Sequence, residues 1–445
     1  MVSASNFISV DKNFLKRSVS AFLPEFPVIP LFEDDVFSSD SEILVKEGDR
    51  VKEGEVIARN RNVFVHSSVP GIVQKIEQRQ YSNGKQGLCA IIKLDGSFSY
   101  LGKKIPEQDW KNYESSTIEF LLRENGVVNT FSKNIPVYSE IKKIRTPKSS
   151  AVVLRLFDSD PSILTEGFLS KNFLPQIIEG VKILARAFGV KKIIAAYSAS
   201  EKIDIKPFLV NKDDADSSEE FSIYSLEIES KKYPAGTMHD ISQAARKIFP
   251  KDSEFSKLGK KDLFVDSLTA LNAYNAVVLG KPVVSTFVHV TGDCLNFAAM
   301  LNVRLGTSLR DIVEMCGGFK RKLFKIIVNG TLLGMNVSSL DIPVTRTLKS
   351  VEFLPKNEVS VPHTQNCIRC GNCRKICPVS LWPGNLYRIA NLENVDTLNE
   401  TDKVSIQTAI LCSECSLCNS VCPARLPLSQ TIALLKEINE DNDEI

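Results

Sequence analysis

The run "CIRCGNCRKICP" opens at Cys367, and "CSECSLCNSVCP", opening at Cys412, repeats its cysteine spacing of two, two and three residues before a closing proline. Three thiols at C-x2-C-x2-C spacing reach one cube only if the segment wraps round it. Each run therefore has to form a tight loop whose sulfurs converge. Pro378 and Pro423 lock φ and supply no amide hydrogen, which turns the chain out of each loop. Gly371 suits the turn of the first loop; its counterpart in the second is Ser416, a departure from that pattern.

A four-iron cluster takes one thiolate per iron, and C-x2-C-x2-C supplies three from one loop. The fourth cysteine of such a run, ahead of proline, ligates the other cluster in two-cluster ferredoxins. By that rule Cys367, Cys370, Cys373 and Cys422 hold one [4Fe-4S] cluster, and Cys412, Cys415, Cys418 and Cys377 hold the second. Zinc also uses paired cysteines, but its sites usually set two C-x2-C pairs well apart, without the third cysteine and closing proline. Apolar residues at helical spacing between the runs, in "LWPGNLYRIANLENV" and "DKVSIQTAILCSEC", and the closing "LSQTIALLKEINE" with Ser429 as a candidate cap, predict a helical ferredoxin-like domain. The acidic tail "EDNDEI" reads as a solvated end.

Eight of the 11 cysteines lie in these runs; Cys89, Cys294 and Cys316 stand among apolar neighbours and read as small buried hydrophobes. The 445 residues suffice for roughly three domains. Lys plus Arg is 55 against 53 for Asp plus Glu, so the net charge of +2 gives no field that suggests nucleic acid or an anionic membrane. The first residues contain no apolar core of secretory type. The most apolar window, Pro282 to Val303, is broken by Gly292 and Asp293, so any membrane contact is expected only through partners.

Residues 1–110 comprise an N-terminal extension and short alternating strands punctuated by Gly48, Gly54 and Gly71, the pattern of a small barrel. Residues 111–280 read as strand "AVVLRLF", helix "FLPQIIEGVKILARAFGV" and strand "KKIIAAYS", an α/β domain with a parallel sheet. Ligands of such units bind at the carboxyl ends of the strands, here near "DSDPS" and "SASEK". Residues 281–345, with Gly306-Thr307-Ser308 opening a short helix, read as a β-grasp unit. Residues 346–362, polar and proline-punctuated, read as a linker into the cluster domain at 363–445.

The N-terminal segment "LVKEGDRVKEGEVIARNRNVFVHSSVPGIVQKIE" resembles a biotinyl/lipoyl-type hammerhead, a barrel-sandwich hybrid, but no lysine occupies the hairpin position of a lipoyl carrier. That barrel, the α/β domain, a β-grasp (SLBB-like) unit carrying "VTGD" and "VRLGTSLRDIVEMCGGF", then "DIPVT" and the two cysteine runs together resemble the RnfC-type subunit of Rnf ion-translocating ferredoxin:NAD oxidoreductases. The resemblance covers nearly the whole chain. It implies a peripheral subunit on the cytoplasmic side of the inner (plasma) membrane, part of a translocase, bound to the other subunits of an Rnf-type membrane complex. Two [4Fe-4S] clusters would relay single electrons between a soluble carrier, a ferredoxin-like protein among the candidates, and membrane flavin subunits.

One stretch departs from the family. Members that handle NADH and FMN carry a G-x-G-G-A-G-F-P-T run and an acidic N-G-A-E-C-E-P run; here the matching stretches are "ENGVVNTFSKNIPVYSEIKK" and "RLFDSDPSILTEG". Only Gly126 survives of the glycines, and Val127, Val128, Asn129 and Thr130 carry Cβ atoms that keep backbone amides from phosphate. This middle section looks more like the A-type subunit of the sodium-translocating NADH:quinone reductase. The isolated chain is therefore expected to bind neither FMN nor NADH and to have no catalytic residue of its own. His66, His239, His289 and His363 are scattered and read as structural, and "KKYPAGTMHD" as a turn-rich loop. The alternative is a docking platform whose clusters are mainly structural.

Overall fold

The computed structural model describes residues 2–3, 19–32, 40–132, 134–201, 203–209, 220–229, 232–251, 253–356, 363–392 and 399–442. Much of the N-terminal extension, residues 357–362 of the expected linker and the last three residues of the acidic tail lie outside these.

The barrel is built from β1 (Val28–Pro30), β2 (Glu42–Ile43), β3 (Arg50–Val51), β4 (Val56–Arg59), β5 (Phe64–His66), β6 (Gly71–Gln80) and β7 (Gln86–Leu94). They form two antiparallel sheets, β1-β7-β6-β3 and β2-β4-β5. Alternate residues turn inward, as the two-residue side-chain period requires, and Ile29, Leu31, Val51, Ile57, Val73 and Ile92 fill the space between the sheets.

The middle of the chain is organised by four strands, β8 (Val152–Arg155), β9 (Lys192–Tyr197), β10 (Ser222–Glu227) and β11 (Leu263–Asp266), ordered β10-β9-β8-β11 and all parallel. A parallel sheet is covered on both faces, so its strands read as continuous apolar runs. Accordingly Val152 and Leu154 face one core while Val153 faces another. Around the sheet are α1 (Ser115–Glu124), α2 (Val137–Ile144), α3 (Thr165–Asn172), α4 (Leu174–Phe188), α5 (Met238–Ile248) and α6 (Ser267–Val277). Helices α4 and α6 bury Ile177, Val181, Leu268 and Leu271 in the first core, and Ile241 and Ala245 of α5 pack in the second.

A six-stranded mixed sheet follows. It uses β12 (Ser285–Thr291), β13 (Ala299–Arg304), β14 (Leu323–Val328), β15 (Met335–Val337) and β16 (Ser350–Pro355), with Val19–Ser20 as an edge beside β13. The order is Val19–Ser20, β13, β12, β16, β14, β15, with β12 and β16 parallel at its centre. Helix α7 (Leu309–Met315) starts on a capping box between Ser308 and Asp311. Its buried Leu309 and Ile312 join Val288, Val303, Val351 and Phe353 in the first core, so the parallel and mixed sheets share one interior.

Strand β16 corrects the expectation of a linker at 346–362. Residues 350–355 are a central strand with Val351 and Phe353 fully buried. Pro355, which suggested a linker, stands at the end of the strand, where proline removes no interior ladder bond.

The barrel docks on this body through a buried ion pair, Glu53 with Arg304 at 2.7 Å, and through Ser68 donating to the Leu305 carbonyl at 2.6 Å. The C-terminal domain contains α8 (Asn372–Ile376), α9 (Pro383–Ala390), α10 (Glu400–Gln407), α11 (Leu417–Ser420) and α12 (Leu428–Asn442). Leu386, Ala409, Ile432 and Leu435 form its small core. Ser429, expected as a cap, falls inside the first turn of α12, where its hydroxyl meets Asn419 and Ser416. Among the described residues no helix is long and apolar enough to cross a membrane.

Candidate functional site

The two cysteine loops are backbone copies. Arg369, Gly371 and Ser380 have φ of 56, 76 and 59°, and Glu414, Ser416 and Arg425, each 45 positions later, have 57, 57 and 55°. Three left-handed residues bend the backbone at matching places in and just after each run. A non-glycine residue there costs on the order of 1 kcal/mol, so a repeated left-handed pattern marks a geometry the site demands. Ser416 accepts the conformation its glycine counterpart takes freely.

Backbone amides of Gly384 and Arg374 point at the Cys373 sulfur, that of Leu417 at Cys415 and that of Asn419 at Cys418. Leu381 N donates to Cys377 Sγ at 3.3 Å and Glu414 N to Cys412 Sγ at 3.4 Å. Amides aimed at sulfur stabilise negative charge on it and help set a cluster's potential. A Cβ on Gly384 would stand 3.3 Å from Cys373 Sγ and 4.0 Å from Cys367 Sγ, so glycine keeps the space beside both thiols open. Among the described residues no three His, Cys, Asp or Glu side chains crowd onto a single ion position.

Cys377, though it belongs to the first run, raises the cost of ionising Cys415 and Cys418 by its charge, which places it beside the second loop. Cys422, of the second run, packs against an apolar group that holds Cys418 of its own run and is also met by Cys373 of the first. Burial pushes the Cys412 thiol up to about 11 and Cys418 to about 12. Such thiols ionise at neutral pH only when a metal takes the proton's place.

The loops differ in exposure. Cys367 and Cys370 are exposed, whereas Cys415 and Cys418 are buried. The second loop is covered by the body: Tyr233 donates from its phenol to the Cys415 carbonyl at 2.8 Å and packs with Cys415, Leu417, Leu332 and Ile376. Leu332 is held in turn by Asp160, from the "DSDPS" loop after β8, whose Oδ2 accepts the Leu332 and Leu333 amides at 2.9 Å each. Sequence reasoning took Tyr233's surroundings for a turn and missed this seat; a lone tyrosine carries no local sign of a partner 182 residues away.

At the carboxyl ends of β8 and β11, where a parallel sheet would offer a ligand site, the chain places a buried ion cluster. Lys349 Nζ reaches Asp266 Oδ2 at 2.5 Å, Glu166 Oε1 at 2.7 Å and the Thr130 carbonyl at 2.8 Å. Burial alone would push the Asp266 carboxyl up, but Lys349 and Arg155 hold it down, to about 2. Burial and the Asp266 charge push Glu166 up against the pull of Lys349. Burial and the neighbouring Glu166 also push Asp158 up to about 7.

The degenerate loop packs into this cluster. Thr130 donates its amide to Thr269 Oγ1 at 3.0 Å and its hydroxyl to Asp266 at 2.9 Å; Asn129 Nδ2 donates to the Phe264 carbonyl at 2.7 Å. Arg155 lies over the Phe131 ring at 4.2 Å and donates to its carbonyl. Gly126 has φ of 72°, and a Cβ there would stand 2.6 Å from the Phe64 carbonyl oxygen, so this glycine serves the contact with the barrel.

Of the histidines, His66 and His289 are buried, and burial lowers them to about 3 and about 4, which keeps both neutral. His239 and His363 are exposed. Cys89, Cys294 and Cys316 are all buried.

A barrel, a mixed α/β body and paired cysteine loops in one chain define a modular iron-sulfur electron-transfer protein. Residues 18–97 match the RnfC barrel sandwich hybrid domain, and residues 363–426 match the 4Fe-4S dicluster domain. The chain is 25% identical over 368 residues, 82% of its length and 81% of the relative's, to the C-type subunit of the Na(+)-translocating ferredoxin:NAD(+) oxidoreductase complex of Acetobacterium woodii. It is 26% identical to the C-type subunit of the ion-translocating oxidoreductase complex of Methanosarcina acetivorans, over 90% of this chain and 88% of that one. The namesake from Vibrio cholerae is 25% identical over 86% of this chain, which spans only 49% of that longer protein. Over most of its length the chain is thus similar to C-type subunits of ion-translocating oxidoreductase complexes.

Proposed function

We propose that the chain is a peripheral electron-transfer subunit of a membrane-bound, ion-translocating Rnf-type complex. In this reading it holds two [4Fe-4S] clusters, one on Cys367, Cys370, Cys373 and Cys422, the other on Cys412, Cys415, Cys418 and Cys377. The proximity of Cys377 to the second loop and of Cys422 to the first is the observation that carries the exchange of ligands. The bound clusters would supply one-electron chemistry. The chain's part is to hold them in fixed loops, aim amides at their sulfurs and cover the second with Tyr233 and Leu332. The sheet whose edge parallels a nucleotide site contributes no cofactor site, because residues 129–131 spend their polar groups on Asp266, Thr269, Phe264 and Arg155. The mixed sheet, with its parallel central pair and one capped helix, is read as a β-grasp unit.

Anaerobic reconstitution tests this: two four-iron clusters mean about eight irons per chain. Four irons or bound zinc would refute it. Calorimetric titration with FMN and with NADH is expected to show no binding; micromolar binding of either would refute the closed site.

A further inference from the structure

The described part of the first cysteine loop and its helices, residues 363–392, contains Arg369, Arg374, Lys375 and Arg388 and not one Asp or Glu. Arg388 is neutralised by Asp402 at 2.6 Å, but Arg369, Arg374 and Lys375 are exposed. The second loop is different. Its Glu414 is paired with Lys436, and the body covers it at Tyr233. So the near-neutral chain concentrates positive charge around the loop whose thiols face outward.

Two large apolar side chains of the same segment are exposed. Ile368, between Cys367 and Arg369, is 66% exposed, and Trp382, two residues before Gly384, is 53% exposed with the Arg374 guanidinium 5.1 Å from its ring. An exposed aromatic and aliphatic pair ringed by cations is the composition of a docking centre: apolar anchors within a charged rim.

We propose that this face, formed by Ile368, Arg369, Arg374, Lys375 and Trp382, docks an acidic one-electron carrier protein that delivers electrons to the first cysteine loop. The inference rests on the electron-transfer function proposed for the chain. In the transfer one electron leaves the carrier, which is oxidised, and enters this chain, which is reduced; no bond is made or broken. A basic partner is disfavoured by like charge, and with no carboxylate in residues 363–392 it finds nothing there to pair with. Because Cys415 and Leu417 of the second loop are covered by the body, the first loop's exposed face is the more open port.

The test uses the full chain reconstituted with its clusters, and a reduced acidic two-[4Fe-4S] ferredoxin as probe, with basic cytochrome c as the opposite-charge control. Binding is measured by biolayer interferometry and electron transfer by stopped flow, both from about 20 to about 500 mM salt, a range over which screening strengthens severalfold. The expected result is ferredoxin binding that weakens roughly tenfold or more across this range, and a triple reversal, Arg369→Glu with Arg374→Glu and Lys375→Glu, that weakens low-salt binding and slows transfer by roughly tenfold or more. The same reversal should speed the encounter with cytochrome c. A matched reversal at Lys103 and Lys104, exposed after β7, should change ferredoxin binding by less than about twofold.

Reduction by methyl viologen separates the two proposals. Clusters that methyl viologen cannot reduce would overturn the electron-transfer function and the docking face with it. Clusters it does reduce, combined with ferredoxin binding indifferent to the triple reversal or stronger at high salt, would overturn the docking face alone.

Discussion

Replacing Lys349 with methionine tests whether the end of the parallel sheet is a sealed internal ion cluster or a ligand site. Lys349 is nearly buried and its ammonium meets two buried carboxylates and a carbonyl. Removing it strands Asp266 and Glu166 with Arg155 as the remaining cation beside both. Breaking one partner from a buried ion cluster costs about 3 to 5 kcal/mol, against less than about 1 for an exposed lysine that merely awaits a phosphate.

The pH dependence carries a sign. Without Lys349, the Glu166 carboxyl, already raised by burial and by Asp266, rises further above its unfolded value. A raised carboxyl binds more protons folded than unfolded, so stability falls as pH rises. The Lys349→Met deficit is expected to be largest near about pH 8.5 and to shrink toward about pH 6, and adding Glu166→Gln should restore about 1 to 3 kcal/mol. Anaerobic urea melts followed by tryptophan fluorescence report on this body, because Trp110 packs in its core and donates to Glu179 at 2.8 Å. A deficit under about 1 kcal/mol near neutral pH, or one that does not change with pH, would refute the sealed cluster.

Cys377→Ala should remove the same cluster signal as Cys412→Ala, and Cys422→Ala the same as Cys367→Ala; electron paramagnetic resonance spectra that pair within each run would show the ligand exchange to be wrong. Tyr233→Phe leaves the Cys415 carbonyl unpaired and is expected to cost about 1 to 2 kcal/mol, while Tyr233→Ala, which also empties the space beside Leu332 and Leu417, costs about 3 to 5, both read by calorimetry. His66 is lowered to about 3, so the folded state binds fewer protons than the unfolded below about pH 6.5 and loses about 2 kcal/mol between about pH 7 and 5. Asp158, raised to about 7, gains a similar amount over the same range, so His66→Gln and Asp158→Asn should tilt the pH profile of the urea midpoint in opposite directions. Gly126→Ala puts a Cβ against the Phe64 carbonyl at a left-handed φ and should lower stability by about 2 kcal/mol in the same melts.

What could be read in the sequence was what is local. The cysteine runs were legible because ligand spacing along the chain is itself the chemistry, and β8, β9 and α4 because strands covered on both faces and amphipathic helices write their burial into consecutive residues. Strand β16 was hidden by its setting: "TRTLKSVEFLPKN" has charged residues at its ends and proline at its edge, and only pairing with β12 and β14 reveals Val351 and Phe353 as core. The seat at Tyr233 and the cluster at Lys349 were not legible for a stronger reason. Lys349, Glu166, Asp266, Arg155 and Thr130 come from separate segments of the chain, and each alone resembles an ordinary surface or turn residue. The missing glycines gave only an expectation about a phosphate cradle; the contacts that residues 129–131 make could come only from the packing.

These pieces constrain where charge can travel. In a sheet of this kind the carboxyl ends of the strands are where a cofactor would accept electrons, and here that position holds a lysine saturated by its own carboxylates. The Asp160 loop next to it is spent on fixing Leu332, so the end of the sheet serves as a foundation for the second cysteine loop. A rigid seat against that loop limits reorganisation there, and it buries Cys415 and Leu417 beside Tyr233. The first loop keeps its thiols outward, its cations exposed and Trp382 bare. A single-electron carrier therefore meets the chain at one end of the cluster pair. Under the proposed function, an acceptor reached from the second loop lies on a neighbouring protein that meets the loop where Leu411 and Glu414 stay exposed.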